Sequence, residues 1–140
     1  MKINLASLCF GLCLAGLFAA GARAQERTAD TASAVLGDWR GTSLCLVKPS
    51  ACHDEEALYH LNAAPDKPGK LFLQADKIVD GHPVTMGTSD CSFDAAKKIL
   101  HCDLGKGYVE LTLVGDRLEG TMFLADKTRW REIKLTRIKS

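Results

Sequence analysis

Five consecutive residues, Cys52-His53-Asp54-Glu55-Glu56, with His60 shortly after, bring together the sulfur, nitrogen and oxygen donors that a divalent metal takes. Their spacing matches no metal-site motif closely, and Cys52 has a better use in a disulfide with Cys45, so the segment is read as a solvated loop holding no metal. Serine, histidine and aspartate all occur, yet no serine stands in a nucleophile elbow, and no hydrolase triad is expected. Gly105-Lys106-Gly107 lacks the following helix that would supply a phosphate site with its dipole. No cofactor is implied. Arg129-Trp130-Arg131 sets two cations around a large aromatic, a grouping suited to a ligand contact or to an outward strand residue covered by its neighbours' alkyl stems. Tyr59 and Met86 fall on faces that line an interior, as cavity wall or as core filler.

The elements that must position these residues are strands. From Gly37 onward β-branched and aromatic residues alternate with polar ones between turn signals, and no stretch of a dozen residues carries a helical period. The reading is eight strands, the first over 37–47, the second over 55–63, the third over 70–79, and the fourth beginning at His82 after the Asp80-Gly81 turn. Ala64-Pro65-Asp66-Lys67-Pro68-Gly69 interrupts any strand twice, since neither proline donates an amide hydrogen.

Hairpin registers follow from the turns. Centring on Asp80-Gly81 sets Ala75 opposite Met86 and Leu73 opposite Thr88. Centring on 95–98 sets Phe93 opposite Leu100 and Cys91 opposite Cys102, where directly opposed Cα atoms lie close enough for a disulfide. Gly115-Asp116 sets Leu113 opposite Leu118 and Val109 opposite Met122, and the turn 125–128 sets Gly120 opposite Ile133 and Leu118 opposite Leu135. One apolar face therefore runs through the last three strands. The predicted fold is all-β, an eight-stranded antiparallel up-and-down barrel with two disulfides, Cys45 to Cys52 and Cys91 to Cys102, because a flat meander of this length would leave two open edges. A sandwich with a Greek-key crossover at 62–69 is the alternative.

Residues 1–24 read as an export signal, with Lys2, an apolar run from Leu5 to Ala20 and a small-x-small site at Ala22-Arg23-Ala24. Residues 25–36 read as a flexible arm or short helical turn, and 37–140 as one domain. Loss of the signal removes Lys2 and Arg23 and no acidic residue, so the formal net charge passes from +1 to −1. There is no basic excess for nucleic acid and no second apolar run to span a membrane. Four cysteines remaining in an exported chain suit a periplasmic or secreted protein.

Gly37-Asp38-Trp39 at the head of the first strand, with Arg137 near the end of the last, resembles the lipocalin and wider calycin pattern. The resemblance covers 37–47 and 129–138, and it implies that Trp39 packs against Arg137 at the closed end of a lipocalin-like barrel. Trp39-x-Gly41-x-Ser43-x-Cys45 followed by Cys52-His53-Asp54-Glu55 also resembles a group of small secreted bacterial proteins. With Trp39 and Arg137 at the closed end, the loops 45–54, 80–82, 103–107 and 125–128 form the mouth. The register then turns Arg129 and Arg131 inward beside Met122 and Leu124, unless a local bulge sends them out and swings Trp130 in. The expected function is non-enzymatic binding of a small apolar or amphipathic, anionic ligand by Arg129, Arg131, Trp130, Tyr59 and Met86. The alternative is a protein partner, as in an inhibitor of an exported hydrolase that uses the 45–54 loop.

Overall fold

The computed structural model describes residues 32–139, so the expected export signal and residues 25–31 of the arm lie outside the described residues. Eight strands follow a short 3-10 turn at Ser33–Val35: β1 (Gly37–Cys45), β2 (Glu55–Ala63), β3 (Leu71–Val79), β4 (His82–Asp94), β5 (Ile99–Asp103), β6 (Gly107–Val114), β7 (Arg117–Leu124) and β8 (Arg129–Arg137). Each pairs antiparallel with its sequence neighbours, and β8 returns to β1, which closes the barrel and removes the crossover alternative. β1 stops at Cys45, two residues short of the expected end. There the Cys45 amide donates to Asp54 Oδ1 at 2.8 Å and the disulfide to Cys52 turns the chain back.

Both disulfides join the expected cysteines, with Cα atoms 6.0 Å apart for Cys45–Cys52 and 4.1 Å apart for Cys91–Cys102. Each closes a short loop, worth about 2–3 kcal/mol on a chain-entropy argument. The expected registers hold at Phe93↔Leu100, Leu113↔Leu118, Val109↔Met122, Gly120↔Ile133 and Leu118↔Leu135.

Two registers differ from expectation, and one physical conflict explains both. The Asp80-Gly81 turn, with φ of 52° and 80°, fixes Val79↔His82 through Asp76↔Thr85, whereas Cys91 must face inward to meet Cys102. The two demands disagree by one residue. Met86 is therefore extruded as a bulge, and Ala75 pairs with Gly87, and Leu73 with Ser89, instead of with Met86 and Thr88. In β8 the turn sets Arg129 opposite Phe123, while Ile133 and Leu135 must face the core. Trp130 absorbs the mismatch, and beyond it Met122 pairs with Arg131.

The closed end is sealed from within. Val35 and Trp39 are fully buried, and Trp39 Nε1 donates to Val35 O at 3.0 Å. The guanidinium of Arg137, opposite Trp39 across the seam, lies 4.1 Å above the indole and donates to the carbonyls of Leu36, at 2.6 Å, and Ala34. Residues 33–36 thus take the short-helical-turn form of the two expected for 25–36 and dock as a plug against the closed end. Close strand approach at the seam requires Gly41, where a Cβ would come 2.0 Å from Lys134 O, and Gly120 is confined in the same way by Glu110 O at 1.9 Å.

The plug makes a measurable demand on Arg137. A cation–π contact contributes about 0.5–2 kcal/mol and a hydrogen bond to a charged group about 1.5–3. Arg137→Ala should therefore lower unfolding free energy by at least about 2 kcal/mol, and Trp39→Phe should lower it as well. Urea denaturation of the oxidised protein checks both, and unchanged midpoints would remove the seal from the account of closure.

Candidate functional site

Inward positions change character along the barrel axis. Toward the plug they are Trp39, Leu61, Leu71, Leu100, Leu111, Leu118 and Leu135, all essentially buried, and they fill the interior. Toward the mouth the inward positions include Ser43, Ala75, Gly87 and Ser89, whose side chains are too short to meet across the barrel. A cavity of about 280 Å³ remains, with Leu73, Leu104, Val109 and Met122 forming its apolar wall.

The polar wall is built by three adjacent strands. Ser43 on β1 pairs with Glu55 on β2 and with Ile133 on β8, two residues from Arg131, so all three polar side chains turn inward at one level. Arg131 Nη1 lies 3.2 Å from Glu55 Oε2 and donates to Ser43 O and Ser43 Oγ at 3.2 Å each. The Arg131 and Glu55 side chains are only 13% and 16% exposed, so their mutual neutralisation offsets a substantial desolvation cost. Every one of these contacts uses Nη1. The Arg131 side chain also lines the cavity, and among the described residues no buried side-chain polar atom is left without a partner. Tyr59 lines the same wall, and burial, with a contribution from Glu55, pushes its phenol up to about 12 despite the opposing effect of Arg131.

Of the residues expected to meet a ligand, Arg131, Tyr59 and Met86 line this cavity. Arg129 and Trp130 do not. The Trp130 bulge places Arg129 on the outer surface, where Nη2 reaches Thr121 Oγ1 at 3.4 Å beside the stacked rings of Phe123, Tyr108 and His101. The expectation of two inward cations is corrected to one, and that one is paired. Ser43 and Glu55 were not anticipated, although their odd-numbered positions put them on the same faces as Trp39 and Tyr59.

The cluster at 52–60 disperses. Cys52 is cross-linked, Asp54 caps the end of β1, Glu55 turns inside, and Glu56 accepts from Arg40 Nε at 2.6 Å on the outer face. His60 sits between Asp38, 2.7 Å from Nδ1, and the buried Asp76, 3.4 Å from Nε2. These contacts tie β1, β2 and β3 together across their outer surface. Among the described residues no group of three or more His, Cys, Asp or Glu side chains is arranged to hold a metal ion. Nor is any helix among them long and apolar enough to cross a membrane. Compared with known proteins, the chain matches no protein-family model and no curated protein.

Tyr59 gives the site a signature in alkali. Its folded-state pKa lies above the unfolded value of about 10, so the neutral phenol's contribution to stability is complete below pH 10 and is lost as pH rises toward 12. Over that window the native protein should lose roughly 2 kcal/mol more than a Tyr59→Phe variant. Denaturant titrations of both proteins at pH 9 and pH 11.5 make the comparison, and parallel losses would show the phenol to be ordinary.

Proposed function

We propose that this chain is an exported, non-enzymatic binding protein whose cavity takes one small, mostly apolar molecule and holds its polar end at Arg131. The supporting observation is the position of that guanidinium: Nη1 is committed to Glu55 and Ser43, and the side chain lines a cavity whose wall is mostly apolar, so Nε and Nη2 would offer a two-donor fork to a ligand. A carboxylate, or another group with two acceptor oxygens, matches such a fork. Glu55 already balances the charge, so the site asks for acceptor geometry more than for a net negative ligand. At about 280 Å³ the cavity falls just under the usual range of about 300–1,000 Å³ for drug-sized ligands, which favours a short amphipathic molecule. The lipocalin-like pairing of Trp39 with Arg137 supports the same class, and two disulfides support a periplasmic or secreted location.

A second reading, inhibition of an exported hydrolase, draws on the 46–54 loop. That loop is cross-linked at its base, is braced internally by Ser50 Oγ donating to Val47 O, and exposes Leu46. Such a braced, exposed loop is preorganised for a protein partner.

Calorimetric titration with short-chain and medium-chain fatty acids and their primary amides tests the leading reading. Binding is expected for chains short enough to fit. The paired change Arg131→Met with Glu55→Gln, which leaves no lone buried charge, should weaken it by at least about 1.5 kcal/mol. Arg129→Ala should leave affinity unchanged, because that side chain is on the outer face. Failure of every such ligand to bind, with a stoichiometric protein captured from the host periplasm, would favour the inhibitor reading.

A further inference from the structure

β4 is thirteen residues long and pairs with β3 over most of its length, but with β5 only from Cys91 to Asp94. The ladder to β5 ends abruptly. Ser89 Oγ donates to Asp103 O where the next backbone bond would fall, and above that point β4 pairs, among the described residues, with β3 alone. His82–Thr88 are all exposed. The Cα separation of 4.1 Å between Cys91 and Cys102 marks a non-hydrogen-bonded pair, so alternate residues back along β4 place Thr88 with its N–H and C=O directed away from β3. Beyond the Met86 bulge the alternation shifts by one, and Thr85 and Pro83 face the open side. Pro83, which has no N–H to give, is placed where the ladder to β3 does not need one.

This edge is also part of the cavity wall. A strand paired on both sides offers every second residue to a barrel interior, whereas β4 contributes Met86, Gly87, Thr88 and Ser89 in succession. An added Cβ on Gly87 would meet nothing within 4 Å.

We infer that the β4 edge around Thr85–Thr88 takes a short, extended, uncharged peptide segment by strand addition, with one apolar side chain of that segment entering the cavity. The inference rests on the cavity being a ligand site, and it adds a second class of ligand, one that enters by the open side of β4. Only another extended backbone matches alternating free N–H and C=O groups. From Pro83 to Ser89 the edge carries no charge, and Val84 and Met86 expose apolar surface along it. Pro83 and the bulge restrict pairing to a few residues, which suits a peptide and works against the long edge-to-edge pairing of two barrels.

The test uses the intact oxidised protein and a blocked hexapeptide of alternating threonine and leucine, with two N-methylated isomers that remove amide donors from one or the other side of the strand. The parent peptide should bind and should slow hydrogen exchange at the Thr85 and Thr88 amides. One isomer should bind at least tenfold more weakly and the other nearly as well as the parent. Gly87→Leu, which fills the cavity without backbone strain, should weaken the parent at least tenfold, and Thr88→Pro should do the same in a folded protein. Equal binding of the two isomers, or exchange at Thr85 and Thr88 unaffected by peptide, overturns the inference. A concentration-dependent dimer that Thr88→Pro dissociates also overturns it, by assigning the edge to a second copy. If hexanoic acid binds while no peptide does, strand addition fails and the cavity reading stands; if neither binds, both fail.

Discussion

A guanidinium held between an indole face and two backbone carbonyls is the constraint on which this barrel depends. Arg137 comes from the last strand, Trp39 from the first, and the carbonyls of Ala34 and Leu36 from the segment before it. An eight-stranded barrel leaves its ends to be filled by whatever the chain supplies. Here one cation fastens the seam and the plug together, and the burial of Val35 and Trp39 supplies the apolar contact that a charge alone would not. Placing this seal at one end confines any opening to the other, where the inward side chains are short.

The cavity follows from that division. Large leucines occupy the layer next to the plug, while serine, alanine and glycine occupy the layer beneath the mouth. The Arg131–Glu55 pair survives in this upper layer because it is incompletely dehydrated and because Ser43 satisfies the same nitrogen from β1. The wall is thus polar where β1, β2 and β8 meet and apolar at Leu73, Leu104, Val109 and Met122.

Strand number, closure, both disulfides and most hairpin registers were legible in the chain, since each rests on local turn chemistry and on alternation, which act within a few residues. The Met86 bulge was not, and the one at Trp130 was legible only as an alternative, because each is a compromise between a turn at one end of a hairpin and a core demand at the other. Met86 and Trp130 carry no signature of their own; they are where the two counts meet. That is why Arg129 was expected inside and lies outside. Glu55 was legible in principle, being in phase with Ala57, Tyr59 and Leu61, but its charged side chain and loop-edge position concealed the inward face it shares with them. Cavity volume depends on how side chains from all eight strands meet in one layer, and no local pattern reports it.

The contacts of Arg137 with Ala34 and Leu36 span 103 and 101 residues, nearly the whole described chain, whereas the disulfides span 7 and 11. Maturation therefore separates into early local and late global events. Both cross-links can form within hairpin-scale segments under oxidising conditions, before any long-range topology is set. The seam waits for the final strand, so a growing chain stays open until its C-terminal residues arrive. A chain truncated before Arg137 would carry correct disulfides and still lack a barrel, which leaves cysteine oxidation a poor sign, and seam formation the true one, that this protein has finished folding.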